Sequence, residues 1–215
     1  MPRQTKEEIW NIVTHALGII LGIAALIYGL YTVSQSGYSP WSYAAIWVYG
    51  LSFIILYICS TVYHSFFPFP RWKAFCRRFD HAAIYIMIAG SYTPYLWISL
   101  RDGNGFTWSA LIWGIALVGI CFKLFFAGRF KLFSTICYLL MGWLAAFLLP
   151  ELWQTVSLPG LIWLALGGVF YTVGSIFYMQ KKMPYAHPVW HVFVLLGSVF
   201  QWFSIQYYVL PGGAL

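Results

Sequence analysis

Long apolar stretches separated by short polar turns dominate the chain. Seven such stretches lie at residues 8–33, 41–67, 80–99, 108–126, 132–149, 158–179 and 187–209. Each approaches or exceeds the roughly 20 residues with which an α-helix crosses the hydrocarbon core of a bilayer. An open sheet would leave backbone groups unpaired in lipid. The pattern therefore predicts an all-α bundle of seven transmembrane helices that forms a single domain, residues 1–215.

Composition excludes a soluble globular domain. Hydrophobic residues make up 61% of the 215 residues and charged residues only 8%, whereas soluble domains have about 45–50% and about 25%. We therefore predict a multi-pass protein of the inner (plasma) membrane of the cell, with membrane lipids as its partners. In this setting the net charge of +7 indicates membrane topology, and we expect no nucleic acid partner.

The basic residues predict how the bundle is oriented. If the N-terminus lies in the cytoplasm, all of the 12 Lys and Arg residues except Arg101 fall on the cytoplasmic side. These are Arg3, Lys6, Arg71, Lys73, Arg77, Arg78, Lys123, Arg129, Lys131, Lys181 and Lys182. Because Lys and Arg accumulate on the cytoplasmic side of membranes, the sequence predicts a cytoplasmic N-terminus and a C-terminus outside.

The five histidines share one depth in this arrangement, near the cytoplasmic ends of the predicted spans. They are His15, His64, His81, His187 and His191. Ionisable residues are costly inside a membrane and point to function. Ser60 and His64 are four residues apart, as are His187 and His191, so each pair shares a helix face. Pro188 at the first helical position would make His187 the N-cap of the last span.

Three histidines from two spans, His64, His187 and His191, predict a metal site. Zinc suits it best, because three imidazoles and one open position form the pattern of catalytic zinc. Asp80 is either an acid beside the metal or an N-cap of the third span. Ser60 either serves the site or is a serine that packs between helices or bonds back to its own helix.

The remaining two histidines leave the role of the metal open. His15 and His81 can hydrogen-bond within the bundle, which we favour, or close the fourth metal position, as Asp80 also could. With an open fourth position a zinc ion is catalytic, and with a protein group there it is structural. The sequence alone does not separate these two cases.

Four sequence strings carry a family resemblance: EEIWNIVTH at 7–15, STVYH at 60–64, FDHAAIYIMIAGSYTP at 79–94 and HPVWH at 187–191. Together they resemble the bacterial hemolysin III family, part of the progestin and adipoQ receptor superfamily that includes the adiponectin receptors. The resemblance spans essentially the whole chain. It implies seven helices with a cytoplasmic N-terminus, which agrees with the distribution of basic residues.

The same resemblance implies a zinc ion near the cytoplasmic face. Its three histidine ligands correspond to His64, His187 and His191, and Ser60 and Asp80 match a serine and an aspartate beside the metal. The superfamily is similar in its motifs to alkaline ceramidases. This implies hydrolysis of a lipid amide, with Asp80 and Ser60 as the catalytic residues.

Three functions are therefore considered. The first, which we favour, is a zinc-dependent hydrolase of a lipid amide or ester. The second is a non-enzymatic membrane sensor or homeostasis protein with structural zinc. The third is a pore-forming hemolysin, which is disfavoured because the outer half of the spans offers few polar residues, Gln201 among them, and no charges.

Overall fold

The computed structural model describes residues 1–35, 37–180 and 182–213, and this part of the chain contains eight α-helices and no strand. The helices are α1 (Arg3–Ser34), α2 (Pro40–Ser65), α3 (Pro70–Pro94), α4 (Gly105–Phe126), α5 (Lys131–Trp143), α6 (Ala145–Thr155), α7 (Leu158–Met179) and α8 (Ala186–Ser204). π-Helical turns extend α3 over Tyr95–Ser99 and α8 over Ile205–Val209. Lys181, one of the basic residues counted above, lies outside the described residues.

Six helical segments are long and apolar enough to cross a membrane: Arg3–Ser34, Pro40–Ser65, Gly105–Phe126, Lys131–Thr155, Leu158–Met179 and Ala186–Val209. The predicted all-α membrane fold is confirmed. The remaining helix, α3, carries four basic residues in its first turns, which lower its hydropathy. It packs along both α2 and α4 and therefore runs through the bundle between them.

The third helix begins earlier than its apolar stretch. α3 starts at Pro70, ten residues before the predicted start, and its N-cap is Phe69. Proline suits a first helical turn, because the N–H that it lacks would have no partner within the helix there. Asp80 therefore lies well inside α3. The alternative that made Asp80 an N-cap of this span is wrong.

The last span also begins differently from the prediction. α8 starts at Ala186, and its N-cap is Tyr185, whose φ of 57° is left-handed. The predicted N-cap role of His187 is therefore wrong, because His187 lies inside the first turn with Pro188. Both His187 and His191 are helical residues one turn apart, so their side chains project from one face of α8.

The predicted fifth span is two helices. α5 ends at Trp143, and α6 continues to Thr155, beyond the predicted end at residue 149. Tyr92 of α3 satisfies backbone groups at the break. Its hydroxyl donates to the carbonyl of Gly142 at 2.6 Å and accepts from the N–H of Ala145 at 2.8 Å. A side chain of α3 thus supplies partners that the interrupted helix lacks.

Packing is uneven around the bundle. Contacts are extensive between α1 and α2, between α2 and α3 and between α7 and α8, and α8 also packs against α1. At Gly18 of α1 an added Cβ would overlap the ring of Tyr57 on α2, so only glycine fits this close approach. α5 contacts α3 and α7 sparsely. A cavity of about 140 Å³ lies between these helices and α8.

Candidate metal centre and adjoining cavity

Three histidines meet at the end of the bundle that carries the N-terminus. One ring nitrogen from each of His64 on α2 and His187 and His191 on α8 lies within 4.8 Å of the other two. α1 brings the two helices together, since it packs against both. These three residues, named from the sequence as metal ligands, are positioned to hold a metal ion.

The free nitrogens of this cluster suit a metal. Nε2 of each of the three histidines is buried and has no hydrogen-bond partner among the described residues. A buried polar atom without a partner is rare because its desolvation goes uncompensated, and a metal bond would compensate it. Neutral imidazoles are common metal ligands through such a nitrogen, so the three residues could hold a metal ion.

A carboxylate orients the ring of His64. Nδ1 of His64 lies 2.7 Å from Oε2 of Glu8 on α1, and the other oxygen of Glu8 accepts a hydrogen bond from Nζ of Lys73. When Nδ1 carries the proton and donates it to the carboxylate, the lone pair of Nε2 is left for a metal. Metal-binding histidines commonly have such a partner, which fixes the tautomer and the orientation of the ring.

His191 is oriented in a similar way by α1. Its Nδ1 lies 3.3 Å from the backbone carbonyl of Asn11 and 3.3 Å from Oγ1 of Thr14. The polar stripe of α1, with Glu8 and Asn11, therefore faces the histidine cluster. Sequence analysis did not assign these positioning contacts. The signal in the sequence that could have found them is that Glu8, Asn11 and His15 are spaced three and four residues apart and so share one face of a helix.

The other two histidines lie beside the cluster. The ring of His15 stacks on that of His191, with 3.5 Å between centroids, and both of its nitrogens lack a partner among the described residues. Nδ1 of His81 lies 3.0 Å from the Asp80 carboxylate, and its Nε2 lies 3.4 Å from the hydroxyl of Tyr178. Neither histidine belongs to the set of three whose ring nitrogens converge.

Asp80 and Ser60, the predicted catalytic residues, are both buried. Asp80 lies on the wall of the cavity, and its carboxylate is not part of the three-histidine cluster. Ser60 is only 1% exposed, and its hydroxyl has no partner in the described part of the chain. Ser52, two turns earlier in α2, donates to the carbonyl of Val48 at 2.7 Å. Ser60 makes no such bond, so back-bonding does not hold, and a site role and simple helix packing remain the alternatives for Ser60.

Comparison with known proteins places the chain in a family. The profile of haemolysin-III-related proteins matches residues 3–202. The chain belongs to the haemolysin III family. The resemblance identified from the four sequence strings is thus confirmed. Family membership and six apolar helices together make it a multi-pass membrane protein, consistent with the plasma membrane of a bacterium.

Similar proteins come from bacteria and animals. This haemolysin III protein is similar to Hemolysin-3 of Bacillus cereus, with 43% identity over 211 residues that cover 98% of the chain and 95% of the relative. A Hemolysin-3 homolog of Bacillus subtilis (strain 168) is 42% identical over 203 residues, 94% of each chain. Monocyte to macrophage differentiation factor of Homo sapiens is 29% identical over 216 residues, covering 94% of the chain and 84% of the relative.

The cavity of this haemolysin III protein begins beside the histidine cluster. His15 and Asp80 line it at that level, and the wall continues along α3, α5 and α7 to Leu152 and Gln201. Most of the lining side chains are apolar or aromatic, Ile84, Leu148 and Leu164 among them. A cavity with such walls and a few polar groups is typical of a ligand site for an apolar molecule.

Proposed function

We propose that this protein is a zinc-dependent hydrolase that cleaves an amide or ester bond of a membrane lipid. The supporting observation is the juxtaposition of two features. Three buried imidazoles have free Nε2 atoms, and an apolar cavity begins at His15, which stacks on His191, and at Asp80. A polar reaction centre beside an apolar chamber suits a substrate with a reactive carbonyl on a hydrocarbon chain.

His64, His187 and His191 would hold the zinc ion. When bound, zinc supplies a Lewis acid that activates water and polarises a carbonyl group. Glu8 keeps His64 in the tautomer that leaves Nε2 free, and the Asn11 carbonyl does the same for His191. The residues of α1 thereby prepare the ligand set before any substrate arrives.

Asp80 is the proposed proton carrier. As water attacks the carbonyl carbon and the new C–O bond forms, the carboxylate of Asp80 accepts a proton from the water. It then delivers this proton to the departing nitrogen or oxygen as the bond to the carbonyl carbon breaks. The products are a fatty acid and an amine or alcohol. A positioned carboxylate in this role contributes about 10²–10⁴-fold to a rate.

Ser60 is the proposed hydrogen-bond donor of the site. Its hydroxyl lies one turn before His64 on α2 and has no partner among the described residues. A free donor in a buried site can hydrogen-bond the attacking water or the carbonyl oxygen and so contribute one ordinary hydrogen bond to the reaction.

The apolar cavity would accept the acyl chain, while the polar end of the lipid stays near the histidines. With the proposed cytoplasmic N-terminus, this places the reaction at the depth of the inner-leaflet headgroups.

The test is a hydrolysis assay on the full-length protein. Purified protein loaded with zinc is incubated with a panel of ceramides and other acyl amides and esters, and released fatty acid is measured by mass spectrometry. We expect turnover in the wild type and in Asp102→Ala, whose side chain is 87% exposed in a loop. Asp80→Ala should bind zinc without turnover. If no substrate of the panel is cleaved faster by the wild type than by Asp80→Ala, the hydrolase proposal is wrong.

A second candidate is a sensor or homeostasis protein with structural zinc. The observation in its favour is that the histidines join α2 to α8, so that a bound metal would clamp two helices distant in sequence. Such a protein needs the clamp but not the proton carrier. A deletion phenotype in membrane fluidity that Asp80→Ala rescues and His64→Ala does not would favour this function over the hydrolase.

A further inference from the structure

Gln201 is a polar residue in an apolar part of the bundle. It lies on α8, ten residues after His191, which places it about 15 Å further along the helix axis at about 1.5 Å per residue. Its side chain lines the cavity and makes no hydrogen bond to the described residues. Gln206, five residues later, instead donates to Thr32 Oγ1 at 2.7 Å. Gln201 is only partly buried, and its amide faces no protein partner among the described residues, so it is free to hydrogen-bond a ligand in the cavity.

The neighbouring helix makes room for this side chain. A Cβ added at Gly167 of α7 would lie 2.7 Å from Cγ of Gln201. Glycine at this position therefore allows Gln201 to lie against α7 on the wall of the cavity. A larger residue at position 167 would push the Gln201 side chain aside.

Tyr171 supplies a second polar group with defined hydrogen bonding. Ser198 Oγ donates its only proton to the carbonyl of Val194 at 3.1 Å. The hydroxyls of Tyr57 and Tyr171 lie 2.9 and 2.8 Å from Ser198 Oγ. A serine oxygen has two lone pairs with which to accept from both while its one proton is donated to Val194. In this arrangement the proton of Tyr171 is used in the bond to Ser198, and the Tyr171 oxygen is left to accept from a further partner.

The ring of Tyr171 is held in place beside the cavity. A Cβ added at Gly197 would lie 2.9 Å from Cε1 of Tyr171, so the ring packs directly on the backbone of α8. Tyr171 and Gln201 both line the cavity. Ser198, which binds the Tyr171 hydroxyl, is three residues before Gln201 on α8. Ser198 and Gln201 therefore share a face of that helix.

We propose that Gln201 and Tyr171 form a polar subsite for a hydroxyl group on the hydrocarbon chain of a bound lipid. The ligand hydroxyl donates to the oxygen of Tyr171 and accepts from the side-chain NH₂ of Gln201. The subsite lies about 10–15 Å from the histidines along α8, so this hydroxyl belongs to the middle of the chain and not to the headgroup. The inference rests on one part of the proposed function, namely that a lipid chain occupies the cavity. It does not require that the protein hydrolyses the lipid.

The test compares the binding of two ligands that differ by one hydroxyl group. A saturated fatty acid and the same acid with a mid-chain hydroxyl compete with a fluorescent fatty acid for purified full-length protein. One well-made hydrogen bond predicts about tenfold tighter binding of the hydroxy acid by the wild type. Gln201→Leu should remove this preference and bind the plain acid at least as tightly. Tyr171→Phe should reduce the preference, and Gln206→Leu, which removes an amide outside the cavity, should keep it.

The outcomes separate this inference from the proposed hydrolysis. Equal affinity of the wild type for both acids, or a preference that persists in both Gln201→Leu and Tyr171→Phe, would overturn the subsite alone. If neither acid binds, both the subsite and the lipid cavity of the proposed function are overturned. A preference that depends on Gln201 in a protein without hydrolytic activity would support the subsite and leave only the hydrolase proposal contradicted.

Discussion

Two walls of the bundle are built in different ways. The wall of α1, α2 and α8 packs closely, and Gly18 leaves no space for a Cβ beside Tyr57. In the wall of α3, α5 and α7, α5 contacts its two neighbours only sparsely, and a Cβ added at the exposed Gly142 of α5 would meet nothing within 4 Å. The first wall supplies the three histidines and the residues that orient them. The second supplies most of the cavity and Asp80.

This difference matches two physical demands. Metal ligands must hold their geometry within about 0.5 Å, which requires side chains fixed by packing and by hydrogen bonds. A lipid chain is flexible and needs space more than fixed contacts. Dense packing around His64 and His191 and sparse packing around α5 therefore support a rigid metal holder beside an adaptable chamber.

The largest expected effect is on hydrolysis, when Asp80 on the second wall is replaced while the histidines of the first wall are kept. Asp80→Asn removes the proposed proton carrier from α3 and leaves all three histidines in place. We expect hydrolysis to fall by about 10²–10⁴-fold while zinc content stays at the wild-type level. Parallel measurements of turnover and of zinc per chain check this. Loss of zinc in Asp80→Asn would mean that the metal site extends onto the second wall.

The next largest effect is on zinc affinity, when Glu8 of the first wall no longer orients the ring of His64. Glu8→Gln keeps the size of the side chain but removes the charge that faces His64 and Lys73. We expect zinc affinity to fall by about 10–100-fold, the usual effect of losing such a partner. Competition with a zinc chelator measures this.

Glu151→Gln, on α6, is the matched control and should leave zinc affinity unchanged. Affinity that is equal in Glu8→Gln and the wild type would show that α1 does not prepare the site.

The packing difference itself can be tested with two glycines. Gly18→Ala forces a methyl group into the ring of Tyr57 and should destabilise the protein by about 1–3 kcal/mol. Gly142→Ala has open space and should be neutral or slightly stabilising, because alanine favours a helix more than glycine does. Thermal unfolding of both variants in the same detergent provides the comparison. Equal melting temperatures would remove the distinction between the two walls.

The smallest expected effect is that of Ser60→Ala. Loss of one hydrogen bond worth about 1 kcal/mol should slow turnover by roughly three- to tenfold, with zinc content unchanged. Ser52→Ala is the matched control, because the Ser52 hydroxyl bonds to its own helix at Val48. If both serine variants turn over lipid at the wild-type rate, Ser60 has no part in the reaction.

Hydropathy predicted most of the fold, and the spacing and depth of the histidines predicted that three of them lie together. The apolar stretches located the helical segments, and helical spacing put His187 and His191 on one face. His64 could be added because the predicted topology placed it at the same depth. These inferences succeeded because they depend on chain length and helix periodicity, which local sequence determines.

The errors arose where structure depends on tertiary context. The start of α3 was placed at residue 80, since counting apolar residues stops at a charged segment even when the helix continues through it. The break between α5 and α6 depends on hydrogen bonds from Tyr92, which lies on another helix. The pairing of Glu8 with His64 requires knowing which face of α1 packs against α2, and residue spacing alone does not give this.

The central claim is that three histidines bind one zinc ion, and metal analysis of the purified protein tests it most directly. We expect about one zinc per chain in the wild type and almost none in His191→Ala. His81→Ala should keep its zinc, because His81 is outside the three-histidine cluster. Absence of zinc from wild-type protein prepared without chelators and supplied with zinc would contradict the account, and so would equal zinc content in His191→Ala and the wild type.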